Sequence, residues 1–227
     1  MIGEVINVDV DPADMTVYAI LRDAEGEQIV RYNATEQILH SLNPRESTPF
    51  RIEFEEVAAG VSLDFDPLDF HPIQLDEEIV SFEVYAQAVV TDAGLYRGLQ
   101  VNQIGIGEND DGEWVIEGEL RNDGVQEATI PIVLFSFLDE FGEVVWVEHT
   151  YVDYSVRPQR TQTFDMVIPD LSSLDQVDLP ALLFSQANDV NQQLVNAPTA
   201  LLDLPDDFPY PFSSVRVDVS TFISSTG

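Results

Sequence analysis

Gly3-Glu4-Val5-Ile6-Asn7 reappears later in the chain as Gly118-Glu119-Leu120-Arg121-Asn122. The stretches after the two copies correspond as well. The apolar run 17–21 matches 132–137, and the turn Asp23-Ala24-Glu25-Gly26-Glu27 matches Asp139-Glu140-Phe141-Gly142-Glu143. Asn43-Pro44-Arg45-Glu46 then leads into Phe50, Ile52 and Phe54. Its counterpart, Arg157-Pro158-Gln159-Arg160, leads into Phe164, Met166 and Ile168. Residues spaced by two share one face of a strand, so each trio lines a single face. A weaker match pairs Val84-Tyr85-Ala86-Gln87 with Leu183-Phe184-Ser185-Gln186. Self-similarity on this scale means one supersecondary unit used twice.

The punctuation between these runs is that of turns. Asp-Pro, Gly-Glu and Asn-Asp-Asp-Gly separate short segments rich in β-branched and aromatic residues. Short strands at regular spacing predict an antiparallel sandwich. A length of 227 residues accommodates one large or two small domains. The repeat divides them into domain one at 1–95 and domain two at 96–195, with a hinge at 92–98. Residues 196–227 remain as a Pro/aromatic arm and a C-terminal strand. One or two helical turns fit near 172–175 or 189–195.

The pattern resembles the FxLYD domain and its immunoglobulin-like relatives. Those read as a Gly-x-Val-x-Asn strand, an apolar strand, an Asp-x-x-Gly turn and a Pro-Gly-Glu-like corner before Phe-x-Ile/Val-x. Here Pro44-Arg45-Glu46 and Pro158-Gln159-Arg160 stand at the corner, both without its glycine. The resemblance covers each repeat, about two thirds of the chain. It implies an all-β fold of two tandem immunoglobulin-like antiparallel sandwiches. It also implies a setting outside the membrane, as binding or spacer modules without catalysis.

The two repeats differ at their openings. Leu99-Gln100-Val101-Asn102-Gln103-Ile104, a turn at 108–112 and the Gly-Glu strand make a complete opening hairpin for repeat two. Repeat one begins directly on its Gly-Glu strand. At the far end Val215, Val217 and Val219 alternate with Arg216, Asp218 and Ser220, a strand pattern with no evident place in repeat two. Two placements are open to it. The strand completes domain one, within the chain or in a neighbouring subunit by strand addition, or it adds an edge to domain two. Before it lies Leu204-Pro205-Asp206-Asp207-Phe208-Pro209-Tyr210-Pro211-Phe212. Its prolines favour an extended backbone, and Phe208, Tyr210 and Phe212 want a groove. The segment is either a linker packed on its own domain or a docking arm for another subunit. Phe208, Tyr210, Phe212, Val215, Val217 and Val219 are the candidate interface.

Charge indicates the solvent. There are 42 acidic residues against 9 basic, a net −33, and all nine basic residues are arginine. Such a surface repels itself in dilute buffer, a lever that halophiles use. In roughly molar salt the Debye length falls to about 3 Å and surface carboxylates stop sensing each other. Arginine without lysine fits the same reading, because the guanidinium is weakly hydrated and pairs bidentately with carboxylates. With 44% hydrophobic and 10% aromatic residues the chain is not an acidic disordered segment. The expected origin is a haloarchaeon or one of its viruses. No run reaches about 18 apolar residues, so no transmembrane helix is expected. The N-terminal stretch has neither the basic start nor the apolar core of a signal peptide.

Chemistry-bearing motifs are sparse. The chain has no cysteine, which excludes disulfides, thiolate sites and cysteine nucleophiles. Of the three histidines, His40, His71 and His149, the first and last sit in strand-like segments and lack acid or nucleophile partners at motif spacing. No phosphate-binding glycine loop, Gly-x-Ser-x-Gly or His-Glu-x-x-His occurs. Asp64, Asp66 and Asp69 offer oxygen ligands for Ca²⁺ or another hard cation. They lie in an insertion that repeat two largely lacks, without the glycine and closing glutamate of a calcium loop. A solvated loop is the simpler reading, and no cofactor is expected. The cluster Glu108-Asn109-Asp110-Asp111-Gly112-Glu113 reads as a hairpin turn. There is no basic stripe for nucleic acid and no basic amphipathic helix for a membrane. The expected function is structural and non-enzymatic. It is a virion component of a haloarchaeal virus (capsid decoration, turret or tail), made in the host cytoplasm and partnered by protein subunits as a homo-oligomer or larger assembly. The alternative is a cell-surface or lipoprotein module trimmed of a leader.

Overall fold

A computed structural model describes residues 2–22, 25–26, 28–33, 41–52, 56–57, 73–74, 81–91, 96–169, 200–205 and 207–223. Among them every regular element is a strand. The chain divides into two compact units, residues 1–94 and 95–227. The helical turns expected near 172–175 and 189–195 lie outside the described residues.

Unit one contains β1 (Ile2–Ile6), β2 (Ala13–Arg22), β3 (Gln28–Asn33), β4 (Ser41–Leu42), β5 (Ser47–Arg51), β6 (Glu56–Val57), β7 (Ile73–Gln74) and β8 (Ser81–Val90). β1 pairs β5, while β2 pairs β3, β4 and β8, all antiparallel. The short β6 and β7 pair in parallel. Unit two contains β9 (Leu99–Glu108), β10 (Trp114–Asn122), β11 (Ala128–Leu138), β12 (Val144–Tyr151), β13 (Thr161–Val167), β14 (Ala200–Asp203) and β15 (Ser214–Ile223). Its two antiparallel sheets run β13-β10-β9 and β12-β11-β15-β14. They face each other through side chains such as Phe135 and Phe164, whose rings lie 6.1 Å apart. Val133, Phe135 and Phe137 of β11 share the inner face with their register partners Val219, Val217 and Val215, and all six are buried.

The repeated pentapeptide builds the same corner in both units. Asn7 directly follows β1 and Asn122 ends β10, and both are buried. Asn122 Nδ2 donates to the carbonyls of Gln126 and Val156 at 2.7 and 2.8 Å, and its Oδ1 accepts from the Gly124 N–H and the Tyr96 hydroxyl. Asn7 Nδ2 donates to the carbonyls of Asp11 and Leu42 at 2.9 and 3.0 Å, and its Oδ1 accepts from the Asp9 N–H. One side chain thereby ties a strand end to the loop after it and to a segment far along the chain. An amide is suited to this role because it carries two donors and an acceptor in one plane. The main chain repeats the correspondence. Asn7 donates to Glu46 and accepts from Arg45, and Asn122 donates to Arg160 and accepts from Gln159.

The proline-led corners match too. In the turns 43–46 and 157–160 the fourth N–H donates to the first carbonyl at 3.0 Å, and proline stands second. The third residue has positive φ, 67° at Arg45 and 60° at Gln159. A type II turn demands this and glycine supplies it without penalty. The glycine is gone but its conformation remains, so arginine and glutamine each carry a left-handed strain of about 1–2 kcal/mol.

Hairpin loops repeat a third device. Asn109 Oδ1 accepts from the N–H groups of Asp111 and Glu113, and Asp139 Oδ1 from those of Phe141 and Glu143, at 2.8–3.0 Å. Gly112 and Gly142 close these loops at φ 78° and 80°. The acidic cluster at 108–113 is therefore a hairpin turn, with its first amide side chain committed to the loop's own backbone.

The C-terminal strand corrects the sequence reading. β15 neither completes domain one nor adds an edge to domain two. It lies inside a sheet of the second unit, between β11 and β14. Its place is the one that β8 holds in unit one: Val17↔Ala86 and Ala19↔Val84 stand where Val133↔Val219 and Phe135↔Val217 stand. β15, rather than Leu183-Phe184-Ser185-Gln186, is the counterpart of the last strand of repeat one. Leu183 to Gln186 lie outside the described residues. The expected boundary of a separate arm at 196 also dissolves, because β14 and β15 belong to the second unit.

Two substitutions separate these devices. Asn122→Ala removes the four hydrogen bonds of a buried side chain and should destabilise unit two by about 2–4 kcal/mol. Gln159→Gly removes the left-handed strain and should stabilise it by about 0.5–1 kcal/mol. Denaturant unfolding at one fixed salt concentration measures both. Equal effects of either sign would contradict the assignment.

Candidate interaction surface

The proposed arm packs on its own unit. The connection from β14 to β15 folds back so that Phe208 meets Trp114 edge-on, with centroids 5.1 Å apart. Phe212 lies 5.2 Å from Phe137, and Tyr210 meets Phe208 edge-on at 5.6 Å and lies tilted against Phe212 at 6.0 Å. Ser213 donates its N–H to Leu138 and its hydroxyl to Asp139, and Leu204 donates back to Ser213. Phe208 is buried, while Tyr210 and Phe212 are half-buried. Trp114 begins β10 and presents a ring at the sheet end, which is the groove these aromatics need. Val215, Val217 and Val219 are in the core. None of the six residues expected at a subunit interface is presented as an open docking face.

Asp64, Asp66, Asp69, His40 and His71 lie outside the described residues. Among the described residues no group of three or more His, Cys, Asp or Glu side chains is arranged to hold a metal ion. His149 is half-buried on β12, edge-on to Tyr151 at 5.4 Å. Beyond the core of unit two, Arg216 Nε donates to Asp218 at 3.2 Å with both side chains largely enclosed. Partial burial lowers the Arg97 pKa from its ordinary value, and the Asp218 carboxylate opposes that shift. Arg97 remains exposed at the surface, so the shift carries little energetic weight.

Two open features escaped the sequence reading. The first is a cleft of about 260 Å³ on the outer side of the β9–β10 hairpin, lined by Gln103, Gly105, Gly107, Glu108, Asn109 and Glu117 among others. Gln103 has φ 49° and sits where the register between β9 and β10 slips. The second is the inner face of β8. Val84 is half-buried, Ala86 and Ala88 are exposed, and Val90 is 65% exposed. Their register partners Ala19, Val17, Met15 and Ala13 are buried. Alternating apolar residues signal that this face wants cover, but the length of strand left uncovered shows only in three dimensions.

Because β14 and β15 are integral, a chain ending at Pro198 should lose the unfolding transition of unit two while keeping that of unit one. Phe208→Ala should cost about 3 kcal/mol in unit two. Calorimetry in molar salt measures both. A truncated chain that keeps two transitions would contradict the placement of β15.

No family model matches the chain, and no curated protein does. Among solved structures it is similar to Bacteroides uniformis beta-glucuronidase 2 covalently bound to cyclophellitol-6-carboxylate aziridine, at 14% identity and a TM-score of 0.21. That match covers 73% of this chain and 19% of the enzyme chain. A likeness this distant carries no argument about activity.

Proposed function

We propose that this chain is a non-enzymatic assembly protein adapted to high salt, a virion component of a haloarchaeal virus such as a capsid decoration, turret or tail protein. The observation that carries the reading is the net charge of −33, with arginine as the only basic residue type, on two tandem β units. A surface this acidic is built for a solvent of roughly molar salt, where self-repulsion is screened. Polar residues in the loops support a structural role. The carboxylate or amide leading each hairpin loop of unit two binds its own backbone, and the two buried asparagines hold corners. The partners in this reading are protein subunits.

A second reading is an extracytoplasmic binding or spacer module of a haloarchaeal surface protein. The likeness of both repeats to the FxLYD pattern favours it. Neighbouring genes separate the two readings: capsid or tail genes indicate a virion part, and cell-envelope genes a surface module.

Light scattering with circular dichroism tests the first reading. In roughly 3 M salt the chain should be folded and associated. Below molar salt it should dissociate or unfold, because screening is lost and apolar contacts weaken where the salt is kosmotropic. Full retention of size and fold in dilute buffer would contradict the reading.

A further inference from the structure

Strand β9 carries glycine at two alternating positions, Gly105 and Gly107, within its ladder to β10. Glycine inside a strand loses conformational entropy on folding and has no side chain to pack, so it weakens the strand and calls for a reason. The described structure supplies no local one. Neither residue lies in the left-handed region, and a Cβ built on either would meet no atom within 4 Å. Strand glycines without such a need mark places where a ligand or another chain comes close to the backbone. Both line the cleft of about 260 Å³ on the outer side of the hairpin, where they are exposed and stand in register with Glu117 and Val115.

The rest of the lining has a definite chemistry. Glu108 and Glu117 bring carboxylates, Gln103 an amide, and Ile106 and Val115 apolar contact, and no basic side chain lines the cleft. Asn109 also reaches it, but its Oδ1 is committed to the hairpin loop. The cleft therefore suits a cation with an apolar stem. In molar salt the attraction of a carboxylate is screened beyond about 3 Å, so the occupant must be held by contact geometry. A guanidinium meets that demand. It is planar and weakly hydrated, it pairs with a carboxylate through two parallel hydrogen bonds, and its methylene stem covers apolar side chains. A flat group also lies closest to main chain where no Cβ stands in the way. Arginine is the only basic residue type in this chain, with nine copies.

We propose that the Gly105–Gly107 cleft is a socket for an arginine side chain of a partner protein, held by Glu108 and Glu117 over the bare backbone of β9. The proposal deepens the assembly reading and rests on it for the arginine being carried by a protein subunit.

The test uses the full chain in roughly 3 M salt, with a blocked arginine amide as the probe and backbone amide chemical shifts as the readout. The expected result is saturable shifts at Gly105, Gly107 and Glu117. A blocked lysine amide, a point charge without the planar fork, should bind at least roughly fivefold more weakly. Glu117→Gln should weaken arginine binding by roughly tenfold through loss of a charge-assisted pair. Glu140→Gln, the same charge change in another hairpin loop, should leave it unchanged. Gly105→Val should abolish binding without lowering the thermal midpoint of unit two, because the added Cβ has room. The proposal is overturned by absence of saturable shifts, by equal affinity for the two probes, or by a Gly105→Val chain that still binds. A Gly105→Val chain that melts earlier assigns the glycine to the fold and overturns it too. Shifts at the same amides with calcium chloride but none with the arginine probe would make the cleft a metal-cation site and equally overturn it. Light scattering on the same samples judges the assembly reading separately. A monomer at every salt concentration that binds the probe removes that reading and keeps the socket. An oligomer that ignores both the probe and Glu117→Gln keeps the reading and removes the socket.

Discussion

Both units depend on one buried amide. Asn122 and Asn7 each hold a strand end, the loop after it and a distant segment through hydrogen bonds made by a single side chain. The bonds to Val156 and Leu42 span 34 and 35 residues along the chain, so they fix non-local geometry that a turn alone cannot. Each hydrogen bond contributes about 0.5–1.5 kcal/mol net, and one side chain that makes several of them is hard to replace. Around it the chain can lose ideal chemistry elsewhere. Arg45 and Gln159 occupy a conformation that glycine would take more readily, and the corner holds them there.

From this shared corner the units diverge. In unit two β9 pairs β10 and β14 pairs β15, whereas among the described residues of unit one β1 pairs only β5 and β8 only β2. Unit one keeps the corner, the hairpin and the last strand, but leaves apolar residues of β8 facing solvent. On a chain that carries −33 this face joins other exposed apolar side chains, among them Val10, Val125 and Phe141. Exposed ion pairs such as Arg22–Glu83 do little to offset it, since they contribute at most about 1 kcal/mol each.

Much of this was legible in the sequence. The repeated Gly-Glu-x-x-Asn, the Asp-x-x-Gly turns and the residues spaced by two before Phe50 and Phe164 locate strands and corners from local pattern alone. The hairpin reading of 108–113 holds because Asx-led turns are local chemistry. Pairing is not local, and there the sequence reading erred. Val215, Val217 and Val219 announce a strand with one apolar face, but nothing in their pattern names β11 as the neighbour. The weaker match at Leu183, which lies outside the described residues, stood in the place of the last strand. The aromatics of 208–212 signalled a groove, and only the position of Trp114 at the start of β10 shows that the groove belongs to the same unit. The open face of β8 was hidden for the same reason: Val84, Ala86, Ala88 and Val90 alternate like any half-covered strand.

The central claim is that the two units share one corner but differ at their last strands: β15 is buried between β11 and β14, while among the described residues β8 pairs only β2 and its inner face is exposed. Native-state amide hydrogen exchange on the full chain in molar salt measures this most directly. The account predicts that amides of β11 and β15 exchange only with global opening of unit two, while those of β8 from Val84 to Val90 exchange through local opening at far lower free energy. Protection in β8 equal to that in β15 would contradict it.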